Sequence, residues 1–165
     1  MSLVYNGILE AGQTGKYSNS ALKEGADVVY LQNKSGTTIY KGMLVDASAS
    51  FDYAVTIAAV GNLDITGVAI ANVLSDQYGW FAYSGVIQVA YCEATTRGHF
   101  ARMSISTDTG EFNGTAKSEA LPTPPFYTDN HFREIGHCLQ SQASSTTLPM
   151  GVGDVYYALT QLHFN

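Results

Sequence analysis

Several groups of side chains in this sequence have types and spacings that could do chemistry. The first is Asp108-Thr109-Gly110. Aspartic proteases bring two such carboxylates together so that they share one proton and act as acid and base. Here the tripeptide occurs once, after Ser106-Thr107, where those enzymes carry apolar residues. The simpler expectation is an exposed turn, the Asp accepting hydrogen bonds from nearby backbone and the Gly taking positive φ. The second group is His131, His137 and Cys138, residue types that ligate zinc. On a strand, positions 137 and 138 point to opposite faces and cannot readily grip one ion. His137 shares a face with Ile135 and Leu139, which predicts a core or half-buried histidine with one hydrogen-bond partner. His99 and His163 stand alone in the sequence. Serines are many, but there is no Gly-x-Ser-x-Gly elbow and neither cysteine has a reactive context. Gly151-Val152-Gly153 is not followed by a helix start that could hold a phosphate. The sequons Asn33-Lys34-Ser35 and Asn113-Gly114-Thr115 mean little without a secretion signal. These residues predict no enzyme, no cofactor and no metal.

The elements that must carry these side chains are short strands. Residues 28–32, 38–45, 53–58, 68–74, 80–91, 98–106, 134–142 and 155–164 are β-rich or alternate in polarity, with turn residues between them. Residues 67–89 form the central pair, two apolar runs joined by the turn Ser75-Asp76-Gln77. Gly85 interrupts the second run, as at a bulge or sharp bend. No segment sustains a 3.6-residue period, apart from a weak pattern near residues 116–121. About eight strands predict an all-β fold, a small antiparallel β-barrel or β-sandwich. Residues 1–26, rich in Gly, Ser and Asn, read as an N-terminal arm, extended or partly disordered, and 27–165 as a single β-domain. Within that domain, residues 112–133 read as an irregular loop, because Pro122, Pro124 and Pro125 stand beside Phe126, Tyr127 and Phe132.

Composition narrows the function. The 165 residues suit one domain. They are 45% apolar and only 13% charged, about half the usual charged share. The net charge is −6, with eight Lys and Arg that do not cluster, which removes the electrostatic footprint of a nucleic-acid binder. No run of about 18 apolar residues marks a membrane span, and the first residues lack the basic and apolar regions of a signal peptide. A soluble protein without a secretion signal is expected. Cys92 and Cys138 sit in apolar runs, as buried free thiols do. The chain has eleven Tyr, seven Phe and one Trp. Most must fill the core, but Tyr5, Ile8, Tyr17, Phe126 and Tyr127 are candidates for a protein interface, where Tyr is enriched and Lys and Glu are depleted. Aromatic rings of this kind could equally stack on sugars.

Five motifs occur in a fixed order: NKSGTTIYKGMLV at 33–45, ITGVAIANV at 65–73, YGWFAYSGVIQVAY at 78–91, RGHFARMSISTDTGEF at 97–112 and EIGHCLQS at 134–141. This order resembles that of the small capsid decoration, or cement, proteins of tailed bacteriophages, and covers about two thirds of the chain. Head-fibre-type virion proteins are a related possibility. The resemblance implies a non-enzymatic β-rich domain, made in the host cytoplasm and located on the virion. It would bind the outer face of the major capsid protein lattice, often as a homotrimer at local three-fold positions, and strengthen the head. A carbohydrate-binding, lectin-like module on a virion is the alternative. The 1–26 segment and the 112–133 loop depart from the family pattern.

Overall fold

Alternating apolar and polar residues with frequent glycines produce strands throughout the chain. The computed structural model describes residues 2–4, 9–120 and 134–164. Its strands are β1 (Ser2–Val4), β2 (Thr14–Asn19), β3 (Glu24–Asn33), β4 (Leu44–Ala47), β5 (Ala54–Ile57), β6 (Ile65–Ala69), β7 (Tyr78–Tyr91), β8 (Phe100–Met103), β9 (Ala116–Glu119), β10 (Glu134–Cys138), β11 (Thr146–Leu148) and β12 (Gly153–His163). A 3₁₀ turn at Pro149–Gly151 separates the last two. Among the described residues no helix is long and apolar enough to cross a membrane.

The all-β class matches the expectation, but the sheet is mixed and not purely antiparallel, and it is not a closed barrel. The twelve strands of the described residues join one sheet in the order β1-β2-β3-β5-β4-β6-β7-β9-β8-β10-β12-β11, with further pairings β3–β7 and β7–β12. It is mixed, because β5 returns parallel to β3 and β9 returns parallel to β7. The 14-residue β7 is the hub. Its first part pairs with β3, its second part with β12. The change of partner needs a sharp bend, and Gly85 provides it at φ 99°. A Cβ there would lie 2.4 Å from the Gly25 carbonyl oxygen, so this is a position that only glycine fits.

The pairings contain an internal repeat that the sequence reading does not detect. One unit runs β3-β5-β4-β6-β7 and the next β7-β9-β8-β10-β12. In each, a hairpin pairs its second strand parallel to the preceding long strand. The agreement extends to single hydrogen bonds. Gly42 N donates to Ala69 O at 2.8 Å, and Gly98 N donates to Cys138 O at 2.9 Å. Isolated bridges join Ile39 to Val73 and Thr95 to Gln142, each starting three residues before its glycine. β6 is bulged just before Gly67 and β10 just before Gly136. Two apolar clusters pack the sheet, and the larger one spans both units: Leu44, Ile65 and Val68 of the first unit share it with Tyr91, Met103 and Ile135 of the second, while Ile39, Met43, Val45, Val55 and Phe81 centre the smaller one.

Three expected boundaries move. The division at residues 26 and 27 falls inside β3, whose residues 25–32 pair with β7. β2 pairs along β3 from Thr14 to Asn19, so residues 14–26 belong to the sheet and not to an arm. The reason is that hydrogen bonds of a strand come from the backbone, which polar side chains do not prevent from pairing. The 112–133 loop contains β9, paired with β8; its residues 121–133 lie outside the described residues. The run 38–45 becomes a strand only from Leu44, because Gly42 at φ 82° makes a turn first.

Candidate functional site

An apolar cleft opens where loops of the first unit meet the segment before β9 and the turn before β12. It encloses 780 Å³ and is walled by Tyr40, Met43, Ile57, Phe112 and Val152, with Leu74 and Met150 at its rim. Among the described residues, no Asp, Glu, Lys, Arg or His lines it. Met43 and Tyr40 are anchored in the core, whereas Leu74 is 62% and Met150 95% exposed. Met150 also takes φ 60°, a conformation uncommon for a non-glycine residue. The turn between β11 and β12 therefore displays a large apolar side chain where solvation disfavours it. Displayed apolar groups beside an apolar concavity are the usual features of a surface that another molecule covers.

A second surface lies on the β3–β7 pair. Their register sets Tyr30 opposite Trp80 and Gln32 opposite Tyr78. Tyr30 stacks on Tyr78 with ring centroids 5.4 Å apart and lies tilted against Trp80 at 5.1 Å. Trp80 is half-buried and packs on the larger core, while Tyr78 is exposed. Tyr78, Trp80 and Asn72 line a 360 Å³ groove.

The residues singled out for chemistry sort differently. Asp108 lies in the expected exposed turn, with Ser106, Thr107, Thr109 and Gly110 exposed around it, but its carboxylate is turned inward. It accepts a bidentate pair from Arg102, at 2.8 and 2.9 Å, and a bond from Ile105 N at 2.8 Å. Arg102 Nε also bonds Glu119. The Arg102 side chain is 3% exposed. Burial alone would raise the Asp108 carboxyl, but the Arg102 hydrogen bonds and the Ile105 N–H outweigh it and hold the group below the ordinary carboxylate range. A proton-sharing dyad needs its carboxylates in direct contact; here a guanidinium bonds both Asp108 and Glu119. Gly110 takes φ 67° as expected. Cys92 and Cys138 are buried free thiols. Burial, with the charge of Asp108 adding to it, pushes the Cys92 thiol up to about 11, far from reactive.

Of the interface candidates, Tyr5, Ile8, Phe126 and Tyr127 lie outside the described residues. Tyr17 is 3% exposed and packs in the larger core, because its hydroxyl finds a partner there, donating to Glu24 Oε2 at 2.9 Å. It offers no face to a partner protein, which corrects that expectation. His137 and Cys138 point apart as argued, yet His137 is exposed and does not follow Ile135 into the core. The bulge at Ile135 breaks the alternation. His137 instead meets His163, their rings 4.8 Å apart, beside Glu134. This cluster depends on strand pairing between residues far apart in sequence, and no local spacing announces it. No protein-family model matches the chain, and no curated protein matches it.

Proposed function

We propose that this chain is a structural protein of a tailed-phage virion, without enzymatic activity. It binds the outer surface of the assembled major capsid protein lattice and stabilises the head, most simply as a homotrimer at local three-fold positions. The observation that carries this reading is the charge-free apolar cleft with Leu74 and Met150 displayed at its rim. It offers burial of apolar area and no reacting group, as an interface requires. The ordered motifs of the sequence support the same reading. A protein that binds only the assembled shell stabilises it by linkage, and many copies on one lattice multiply small contact energies.

Co-sedimentation with assembled heads of the phage that encodes the chain tests this. Wild-type protein is expected to pellet with heads and to stay in solution with unassembled capsid subunits. Met150→Ser combined with Leu74→Ser should weaken binding at least tenfold without unfolding the domain, since each loses part of the roughly 1.5–3 kcal/mol available from burying such a side chain. Absence of binding to heads would refute the reading.

The Tyr30, Tyr78 and Trp80 stack favours one second reading, a carbohydrate-binding surface, because the exposed Tyr78 ring and the half-buried Trp80 ring beside the Asn72 amide suit a sugar face and its hydroxyls. Trp80 is the single tryptophan, so its fluorescence reports on the groove directly. A glycan array without hits, together with unchanged emission, would remove this alternative.

A further inference from the structure

We propose that Glu134, His137 and His163 form a binding site for a first-row divalent transition cation, Zn²⁺ foremost, on the β10–β12 pair. One ligand atom from each of the three residues lies within 4.8 Å of the others. Glu134 Oε1 is 2.9 Å from His163 Nε2 and 3.4 Å from His137 Nε2. A tetrahedral ion with bonds of about 2.0–2.1 Å sets neighbouring ligands roughly 3.4 Å apart. The side chains thus need shifts of rotamer size to surround an ion. Two imidazoles and one carboxylate form a borderline donor set that suits zinc, copper, nickel or cobalt, and disfavours Mg²⁺ and Ca²⁺, which take oxygen ligands.

The backbone arranges this set. In a regular strand Glu134 and His137 would point to opposite faces. The bulge between Glu134 and Gly136 adds one residue and brings them to the same side, with Ile135 turned into the core. Gly136 lets β10 approach β12 closely, since a Cβ there would lie 2.1 Å from the Gln161 carbonyl oxygen. That approach places His163 beside His137. β12 is fixed in turn by its pairing with β7 from Tyr156 to His163. The His137 side chain is 46% exposed, so an ion can enter from solvent and keep water in its fourth position. Bound there, the ion would tie β10 to β12 through side chains as well as through the backbone ladder. Nothing in this site depends on the capsid reading.

The test uses tag-free protein stripped with chelator and titrated with Zn²⁺ by calorimetry, with Co²⁺ as a spectroscopic probe. One equivalent of Zn²⁺ is expected to bind, with Mg²⁺ failing to compete. His137→Ala and His163→Ala should each weaken binding more than tenfold, and Glu134→Gln about tenfold. The cobalt spectrum should lack a thiolate charge-transfer band, because Cys92 and Cys138 are buried. A measurement on the unaltered chain removes dependence on the folding of variants: Zn²⁺ should protect His137 and His163 from acylation by diethylpyrocarbonate while leaving His99 unchanged. No zinc binding, binding undiminished in both histidine variants, a thiolate band, or unprotected His137 and His163 would each overturn the proposal.

Discussion

β6 and β10 hold equivalent places in the two units, each bulged one residue before a glycine and each paired to the strand that closes its unit. Their side chains differ in kind. Where β10 carries Glu134 and His137, β6 carries Ile65 and Val68, which are 2% and 0% exposed in the larger core. A second equivalent pair repeats the contrast. Asp46 of β4 is half-buried and accepts one bond from the Asn62 amide, whereas Arg102 of β8 is buried between Asp108 and Glu119. The strand pairing is common to both units, so it does not require these polar groups. The first unit uses the positions for packing. The second spends them on ions and imidazoles. The cluster at Glu134 is therefore a property of this unit and not a by-product of the fold.

The largest expected effect comes from breaking the polar network of the second unit. Asp108→Asn takes one of two carboxylates from buried Arg102, leaving Glu119, and should cost about 3 kcal/mol in chemical denaturation, the upper end for hydrogen bonds to a charged group. Hydrogen exchange should rise in β8–β10 more than in β4–β6. The sign with pH follows from the depressed Asp108 carboxyl. Its contribution is complete above the ordinary carboxylate value of about 4 and is lost as pH falls through the lower folded value. The Asn variant should lack that part of the acid loss. Equal exchange in both units would erase the energetic side of the comparison.

Gly85→Ala acts on the strand the units share. The φ of 99° and the contact with Gly25 O should cost about 2–3 kcal/mol. Both units should lose stability in one thermal transition, and two separate transitions would show them to be independent. Tyr17→Phe removes the bond to buried Glu24 and should cost about 1.5 kcal/mol, the range for a hydrogen bond to a charged group. The smallest effect belongs to His137→Val, which gives β10 the residue that β6 has at Val68. Stability without metal should change by no more than about 0.5 kcal/mol, as at an exposed position, while zinc binding is lost.

The strands that alternate strongly were legible in the sequence, as was the bend at Gly85, because period-two burial and a lone glycine are local signals. β2 was not, since Thr14, Gly15, Lys16, Ser18 and Asn19 leave Tyr17 as the one side chain it buries. The weak helical pattern at residues 116–121 is instead β9, because a four-residue strand of Ala, Lys, Ser and Glu carries almost no periodicity of its own. A truncation designed on the expected arm would remove β2 and cut into β3. The sites were less legible still. Arg102 meets Glu119 through the β8–β9 pairing, and His137 meets His163 through β10 and β12. Register between distant segments created both clusters, and local spacing does not encode register. The repeat is not legible in the sequence for a related reason: it is kept in glycines, bulges and bridges, while the side chains at equivalent positions differ.

The most direct measurement of the central claim is the temperature at which assembled heads rupture, recorded with increasing amounts of the purified chain. The rupture temperature is expected to rise and to saturate at a fixed number of copies per head, with the Met150→Ser, Leu74→Ser double variant needing at least tenfold more protein. A rupture temperature unchanged at saturating protein would contradict it.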